Sequence, residues 1–216
     1  MKNKLTIKEM KTLVEQGHLE YFIDLSNKLE NRRQYYESYR YLLLAFQKGN
    51  KYALKLLCEL CNSGNLDKYL SKEEQFNWYL RSYHENGVDY ITYILAQCYR
   101  EGIGTKIDLD KYIFYLNLCH EDGSITATIE LALCYENGFA VEQNYEKAYK
   151  LYTSCFDEHF KRDPISLYKE AYYRYHEFGG AIKDLNIIKD ILIRSGMNNS
   201  KSRELYKEIF GEDYCE

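Results

Sequence analysis

The chain predicts an all-α fold, a solenoid of tandem helix pairs, and three observations carry that expectation. Glycines recur at a fixed interval: Gly49 to Gly64, Gly87 to Gly102 and Gly123 to Gly138 are each 15 residues apart, and Gly87 to Gly123 is 36. The residues around them repeat in register, so that Leu95-Ala96-Gln97-Cys98-Tyr99-Arg100-Glu101-Gly102 returns 36 residues later as Leu131-Ala132-Leu133-Cys134-Tyr135-Glu136-Asn137-Gly138. Pro164 is the only proline, and no useful run alternates apolar and polar residues as a half-buried strand would. A 36-residue self-similarity marks one supersecondary unit copied in tandem, and such units bury a continuous core only by stacking.

The elements follow in order along one expected domain, residues 1–216. A lone helix spans 5–16, opened by Thr6 with Glu9 and closed before Gly17. The first pair covers about 17–49, with Tyr21, Leu25 and Leu29 in buried slots; fifteen residues after Gly17 the ruler reaches Arg32. The second covers 50–87, with Ala53, Leu57, Cys58 and Cys61 on its first helix and a Ser71/Glu74 box opening its second. The third, 88–123, buries Ile91, Leu95, Ala96 and Tyr99; the fourth, 124–160, repeats this with Ala127, Leu131, Ala132 and Tyr135. Tyr79 and Tyr115 take equivalent core slots on second helices, which Asp108 and Asn144 are placed to cap. The fifth, 161–196, opens at Asp163-Pro164, carries Tyr168, Ala171, Tyr172 and Tyr175 ahead of Gly179-Gly180, and pairs with a helix from Asp184 to Ser195. A capping helix at about 200–212 closes the array, because an end unit must present a polar face.

The string Ala-x-x-x-Leu-Ala-x-Cys-Tyr-Glu-Asn-Gly-x-x-Val-x-x-Asn-Tyr-Glu-Lys-Ala at 127–148 resembles the Sel-one-like repeat, a branch of the tetratricopeptide-repeat superfamily. The match is specific over roughly 88–157 and looser elsewhere. The resemblance implies a right-handed superhelix of antiparallel helix pairs used as an adaptor in multiprotein complexes. Two departures stand out: the family's second loop glycine is kept at Gly104 but replaced at Ala140, and Tyr112 occupies the slot of the small Ala148, which would hold the two helices of that pair slightly apart.

Composition narrows the functional classes. With 45% hydrophobic and 29% charged residues, and a net charge of −4 from interleaved signs, the chain has no electrostatic footprint for nucleic acid or an anionic membrane. No stretch approaches a transmembrane span, and the basic Met1-Lys2-Asn3-Lys4 is not followed by the apolar core of a signal peptide. Cys98, Cys134, Cys119 and Cys155 fall on equivalent buried helix slots and read as small core hydrophobes, and the odd total of seven cysteines with no signal peptide points to a reducing compartment. Cysteine-rich secreted members of the family place a partner about eight residues on, where this chain has Ala127 after Cys119 and Asp163 after Cys155. Cys58-Glu59-Leu60-Cys61 falls within an apolar helical stripe and lacks a second pair for zinc, and His84 and His120 are copies of one helix-end position. Gly102-Ile103-Gly104-Thr105-Lys106 follows a helix and reads as a turn.

No catalytic, cofactor or metal residues are expected, and the chain reads as an interaction scaffold binding a protein or peptide in a groove lined by first helices. Positions nine, five and two before each closing glycine share a face that the core does not use: Lys55, Glu59 and Asn62; Tyr93, Gln97 and Arg100; Ile129, Leu133 and Glu136. Off-core tyrosines among the 24 in the chain are further candidates, since exposed tyrosine offers large rigid contact area with a polar tip. Two alternatives belong to other classes: a small-molecule-acting protein, such as a serine hydrolase or β-lactam-binding protein built on Ser166 and Lys169, and a self-assembling array with weak self-association. The expected location is cytoplasmic, in the parent cell or in a host cytosol if the chain is an effector or viral protein.

Overall fold

The computed structural model of the chain describes residues 5–87, 89–155, 163–196 and 199–211. Among them every regular element is helical. Two compact units form, residues 1–108 and 109–216.

In the first unit, α1 (Ile7–Glu15) is followed by a 3-10 turn at Leu19–Tyr21, α2 (Phe22–Asn31), α3 (Tyr35–Gln47), α4 (Tyr52–Asn62), α5 (Lys72–Asn86) and α6 (Tyr90–Glu101). Each helix from α1 to α6 packs on the next, and short connections between packed neighbours make them antiparallel. Local chemistry sets the starts. Thr6 with Glu9 and Ser71 with Glu74 form reciprocal capping boxes on α1 and α5, and Asp89 accepts from Ile91 N–H at the start of α6. Leu25, Leu29, Leu42, Ala45, Leu57, Ile91, Leu95 and Ala96 are all fully buried. Between α2 and α3, the hydroxyls of Ser26 and Ser38 lie 2.8 Å apart and each donates to Glu30 Oε1 at 3.0 Å, so a buried polar pair is satisfied across the joint.

The second unit contains α7 (Leu109–Glu121), α8 (Ile125–Asn137), α9 (Tyr145–Thr153), α10 (Pro164–His176), α11 (Leu185–Ser195) and α12 (Ser200–Phe210). Consecutive helices pack together, and α12 covers both α10 and α11. Ser124, Asn144, Asp163, Asp184 and Asn199 cap their helices, with Pro164 at the first helical position of α10. Ala132, Ala148, Tyr152, Tyr173 and Ala181 form one core cluster, and Leu167, Ala171, Ile188, Ile191, Leu192, Leu205 and Tyr206 another.

Sequence expectations change at several positions, and Tyr135, expected in a buried slot of α8, is half-buried. The left-handed residue that ends α2 is Arg33 (φ 59°), one beyond the Arg32 of the glycine ruler, and Tyr21 is half-buried in the 3-10 turn ahead of the helix. In α10 the buried residues are Ser166, Leu167, Glu170, Ala171 and Tyr173, whereas Tyr168, Tyr172 and Tyr175 are half-buried and flank the core. That helix ends at Glu177 (φ 57°) rather than at the glycine pair. Val88, the end of the fourth pair at 156–160, and the tip of the closing helix at residue 212 lie outside the described residues.

The second loop glycine has a physical role. A Cβ on Gly104 (φ +69°) would stand 2.1 Å from the carbonyl oxygen of Lys72, the first residue of α5. A Cβ on Gly179 (φ +61°) would stand 2.3 Å from that of Tyr145, the first residue of α9. Each glycine lies two residues past the left-handed residue and lets the loop press on the preceding second helix. Ala140 occupies the same slot with φ 60°.

Candidate functional site

The left-handed residues that close the first helices are Arg33, Gly64, Gly102, Gly138 and Glu177, and counting back from each gives one common face. In the first unit this places Lys55, Glu59 and Asn62 exposed on α4, and Tyr93, Gln97 and Arg100 half-buried on α6. The row continues one turn toward each helix start, twelve residues ahead of the left-handed position, where Tyr21, Tyr52 and Tyr90 form a column. Tyr52 is 50% exposed and Tyr90 43% exposed, so neither is consumed by the core. Tyr90 joins α6 to α4: partial burial and the neighbouring Glu59 carboxylate hold its hydroxyl well above the usual tyrosine range. The glycine register could have revealed Tyr52 and Tyr90, since they are the next members of rows already in register; Tyr21 was hidden because Arg33 stands where glycine would.

In the second unit the face is apolar. Ile129 is half-buried against the Ala132–Tyr152–Tyr173 cluster, and Leu133 is exposed. On α10 the same slots hold Ile165, which is exposed, with Tyr168, Tyr172 and Tyr175 half-buried. Glu136 has a different place from its row-mates. Lys169 Nζ donates to both its oxygens at 2.6 and 2.8 Å, and Tyr152 hydroxyl donates to Oε2 at 2.7 Å. This ion pair is largely shielded from solvent and fastens α8 to α10, so Glu136 serves the packing of the unit.

The same contacts remove the geometry needed by a serine–lysine hydrolase. Ser166 is fully buried and its hydroxyl donates to the Asp163 carbonyl at 2.7 Å, while the Lys169 ammonium is committed to Glu136. Cys58 and Cys61 are buried in α4 with their thiols pushed up to about 12 by burial, which leaves them protonated and poorly nucleophilic. All six described cysteines are buried; Cys215 lies outside the described residues. Among the described residues no cluster of three or more His, Cys, Asp or Glu could hold a metal ion, and no helix is long and apolar enough to cross a membrane.

No family profile and no curated protein matches the sequence. Solved structures do. A Sel1 repeat protein from Oxalobacter formigenes superposes with a TM-score of 0.67 at 17% identity, over 87% of this chain and 75% of that one. A protective antigen of uropathogenic Escherichia coli strains displaying an SLR fold gives 0.66 at 16% identity, over 95% of this chain. The chain spans 48% of that antigen's length. Helix pairs closed by left-handed residues, stacked within each unit and matching these two structures, give the chain the fold of the Sel1-like repeats, an array of α-helix pairs.

Proposed function

We propose that the chain is a non-catalytic interaction scaffold that binds a protein or peptide partner on the faces of its first helices. The observation that supports this most is the column of tyrosines on the first unit. Tyr52 and Tyr90 recur at one repeat slot yet leave 50% and 43% of their surface in solvent, although a repeat copied only for stacking would bury its aromatic residues. Rigid, amphipathic tyrosine beside Lys55, Glu59, Asn62 and Gln97 is the residue mixture of a specific binding patch. Leu133 and Ile165 supply the apolar counterpart on the second unit. Buried thiols such as those of Cys58, Cys61 and Cys98 fit residence in a reducing compartment such as a cytosol.

Affinity capture from the native cytosol, run in parallel with wild type and the Tyr90→Ala/Leu133→Ala variant, tests this reading. Both side chains are exposed, so the helical circular dichroism spectrum should be retained. Loss of the captured partners with the fold intact is the expected result. Recovery of the same partners in equal amounts by the variant would remove the site.

A further inference from the structure

The second helices of the first unit carry an aromatic strip that the repeat does not copy. Tyr69, in the turn between α4 and α5, stacks on Tyr36, and Tyr36 lies against Tyr39. Tyr39 meets Trp78 nearly perpendicularly, and Trp78 meets Phe46 in the same way. One repeat later the slots of Trp78 and Arg81 hold Phe114 and Asn117. Tyr36 and Tyr69 remain 43% and 46% exposed, so helix packing does not account for the strip. A cation stands at each end of this run of rings. Lys68 lies 4.8 Å from the Tyr69 ring and has no ion pair among the described residues. Arg81 lies 4.4 Å from the Phe46 ring and, among the described residues, donates through Nε alone, to Glu85 at 2.9 Å. Both terminal nitrogens of its guanidinium are therefore left for a further carboxylate. Beside Tyr39 and Trp78 is a cleft of about 310 Å³, completed by Glu74, Asn77 and Arg81. Glu74 Oε2 is held by the Ser71 N–H and hydroxyl at the start of α5, which leaves Oε1 as an acceptor at the cleft.

An occupant that matches this surface has carboxylates on both sides of an aromatic group, and the aromatic group carries a donor for Glu74. The chain contains such a segment in Glu212-Asp213-Tyr214-Cys215-Glu216, which lies outside the described residues. We propose that this segment of one copy docks on the strip of a second copy, with Tyr214 in the cleft beside Tyr39 and Trp78 and the flanking carboxylates on Arg81 and Lys68. Charge complementarity carries the assignment. The segment holds three carboxylates and no cation, whereas the two ends of the strip hold cations with bonding capacity unused. The Tyr214 hydroxyl donates to Glu74 Oε1, so the one acid at the cleft becomes a partner instead of a source of repulsion. The contact is heterologous, because segment and strip are different surfaces, and each copy offers one of each. This surface belongs to α3 and α5, so it stands independently of the first-helix face.

Sedimentation velocity of the full chain at rising concentration reads the association, and Trp78, the only tryptophan, reports on the strip through its emission. The wild type should gain weight-average mass with concentration, its Trp78 emission should shift to the blue over the same range, and both effects should weaken in high salt. Arg81→Glu and Tyr214→Ala should each raise the concentration needed about tenfold. Arg81 is exposed, so the helical circular dichroism spectrum should be retained. The variant Glu212→Lys/Asp213→Lys should also fail to associate alone, yet it should associate when mixed with the Arg81→Glu chain, a rescue that a structural effect of either change would not give. Tyr90→Ala, on the first-helix face, should leave association unchanged. Any of four results would overturn the proposal: a wild type that stays monomeric at every concentration, association unchanged by Arg81→Glu or Tyr214→Ala, a mixture of the two charge-reversed chains that stays monomeric, or association abolished by Tyr90→Ala.

Discussion

Gly104→Ala and Ala140→Gly change the same repeat slot in opposite directions, and the structure assigns each a sign and a size. At Gly104 the added Cβ meets the Lys72 carbonyl oxygen at 2.1 Å and Phe76 Cβ at 2.8 Å, and both are held in α5, so the loop must lift. Overpacking of this kind costs ~1–3 kcal/mol. The left-handed backbone adds ~1–2 kcal/mol for a residue with a Cβ, partly offset by ~0.4–1 kcal/mol from the stiffer unfolded chain. The net loss is about 2–4 kcal/mol. At Ala140 the left-handed strain is already present at φ 60°, and removing the methyl relieves it against the entropy of glycine, for a gain of about 0.5–1 kcal/mol. Urea titrations and thermal melts followed by circular dichroism read both, with roughly 2–4 °C per kcal/mol in a chain of this length. A neutral Gly104→Ala, or an Ala140→Gly that destabilises, would refute the claim that this glycine exists to let the loop press on the preceding second helix.

Alkali should destabilise the chain early. Burial pushes the thiols of Cys58 and Cys61 up to about 12 and that of Cys98 up to about 11, and it raises the hydroxyls of Tyr79, Tyr112 and Tyr152. The folded state therefore holds protons that the unfolded state releases, so the stabilisation is complete below about pH 8.5 and is lost as pH rises through the folded values; melting temperatures should be flat up to about pH 8.5 and fall steadily above it. On the acid side, the Ser71 N–H and hydroxyl hold Glu74 below the usual carboxylate range, so its contribution is present above about pH 4.3 and is lost as pH falls through the depressed value. Glu74→Gln keeps a capping acceptor without the titration, and its melting temperature should depend less on pH below that point. Lys169→Met leaves Glu136 with the Tyr152 hydroxyl as its remaining donor in a shielded site and should cost about 2–3 kcal/mol in urea titrations. Ala132→Leu inserts volume at a fully buried position between α8 and its neighbours and should cost ~1–3 kcal/mol by the same assay.

The helix pairs were legible because their period is carried by residues with strong local physics. Glycine takes the left-handed turn at Gly64, Gly102 and Gly138, and Thr6, Ser71, Asn144 and Asp163 accept from helix-start N–H groups as their positions predict. Where a non-glycine residue takes the left-handed turn, at Arg33 and Glu177, the ruler slips by a residue or misses the helix end. The site was legible in part. A helical period identifies which residues share a face, so Lys55, Glu59, Asn62 and Leu133 are found exposed. It does not identify contacts across helices, and so it could not show that Glu136 is held by Lys169, which lies 33 residues away. The Tyr36–Tyr39–Trp78–Phe46 strip was invisible for the same reason, since it joins α3 to α5 and has no counterpart one repeat later.

Site-specific photo-crosslinking tests the interaction claim most directly. A benzoylphenylalanine placed singly at Tyr52 or Tyr90 lies on the proposed first-helix face, and one placed at Ile187 lies on the second helix α11, which carries no proposed partner. All three native side chains are exposed, so each probe is equally free to react. In the native cytosol, the account predicts the same discrete crosslinked product from positions 52 and 90 and none from 187. Identical products from all three positions, or none from 52 and 90 while 187 reacts, would contradict it.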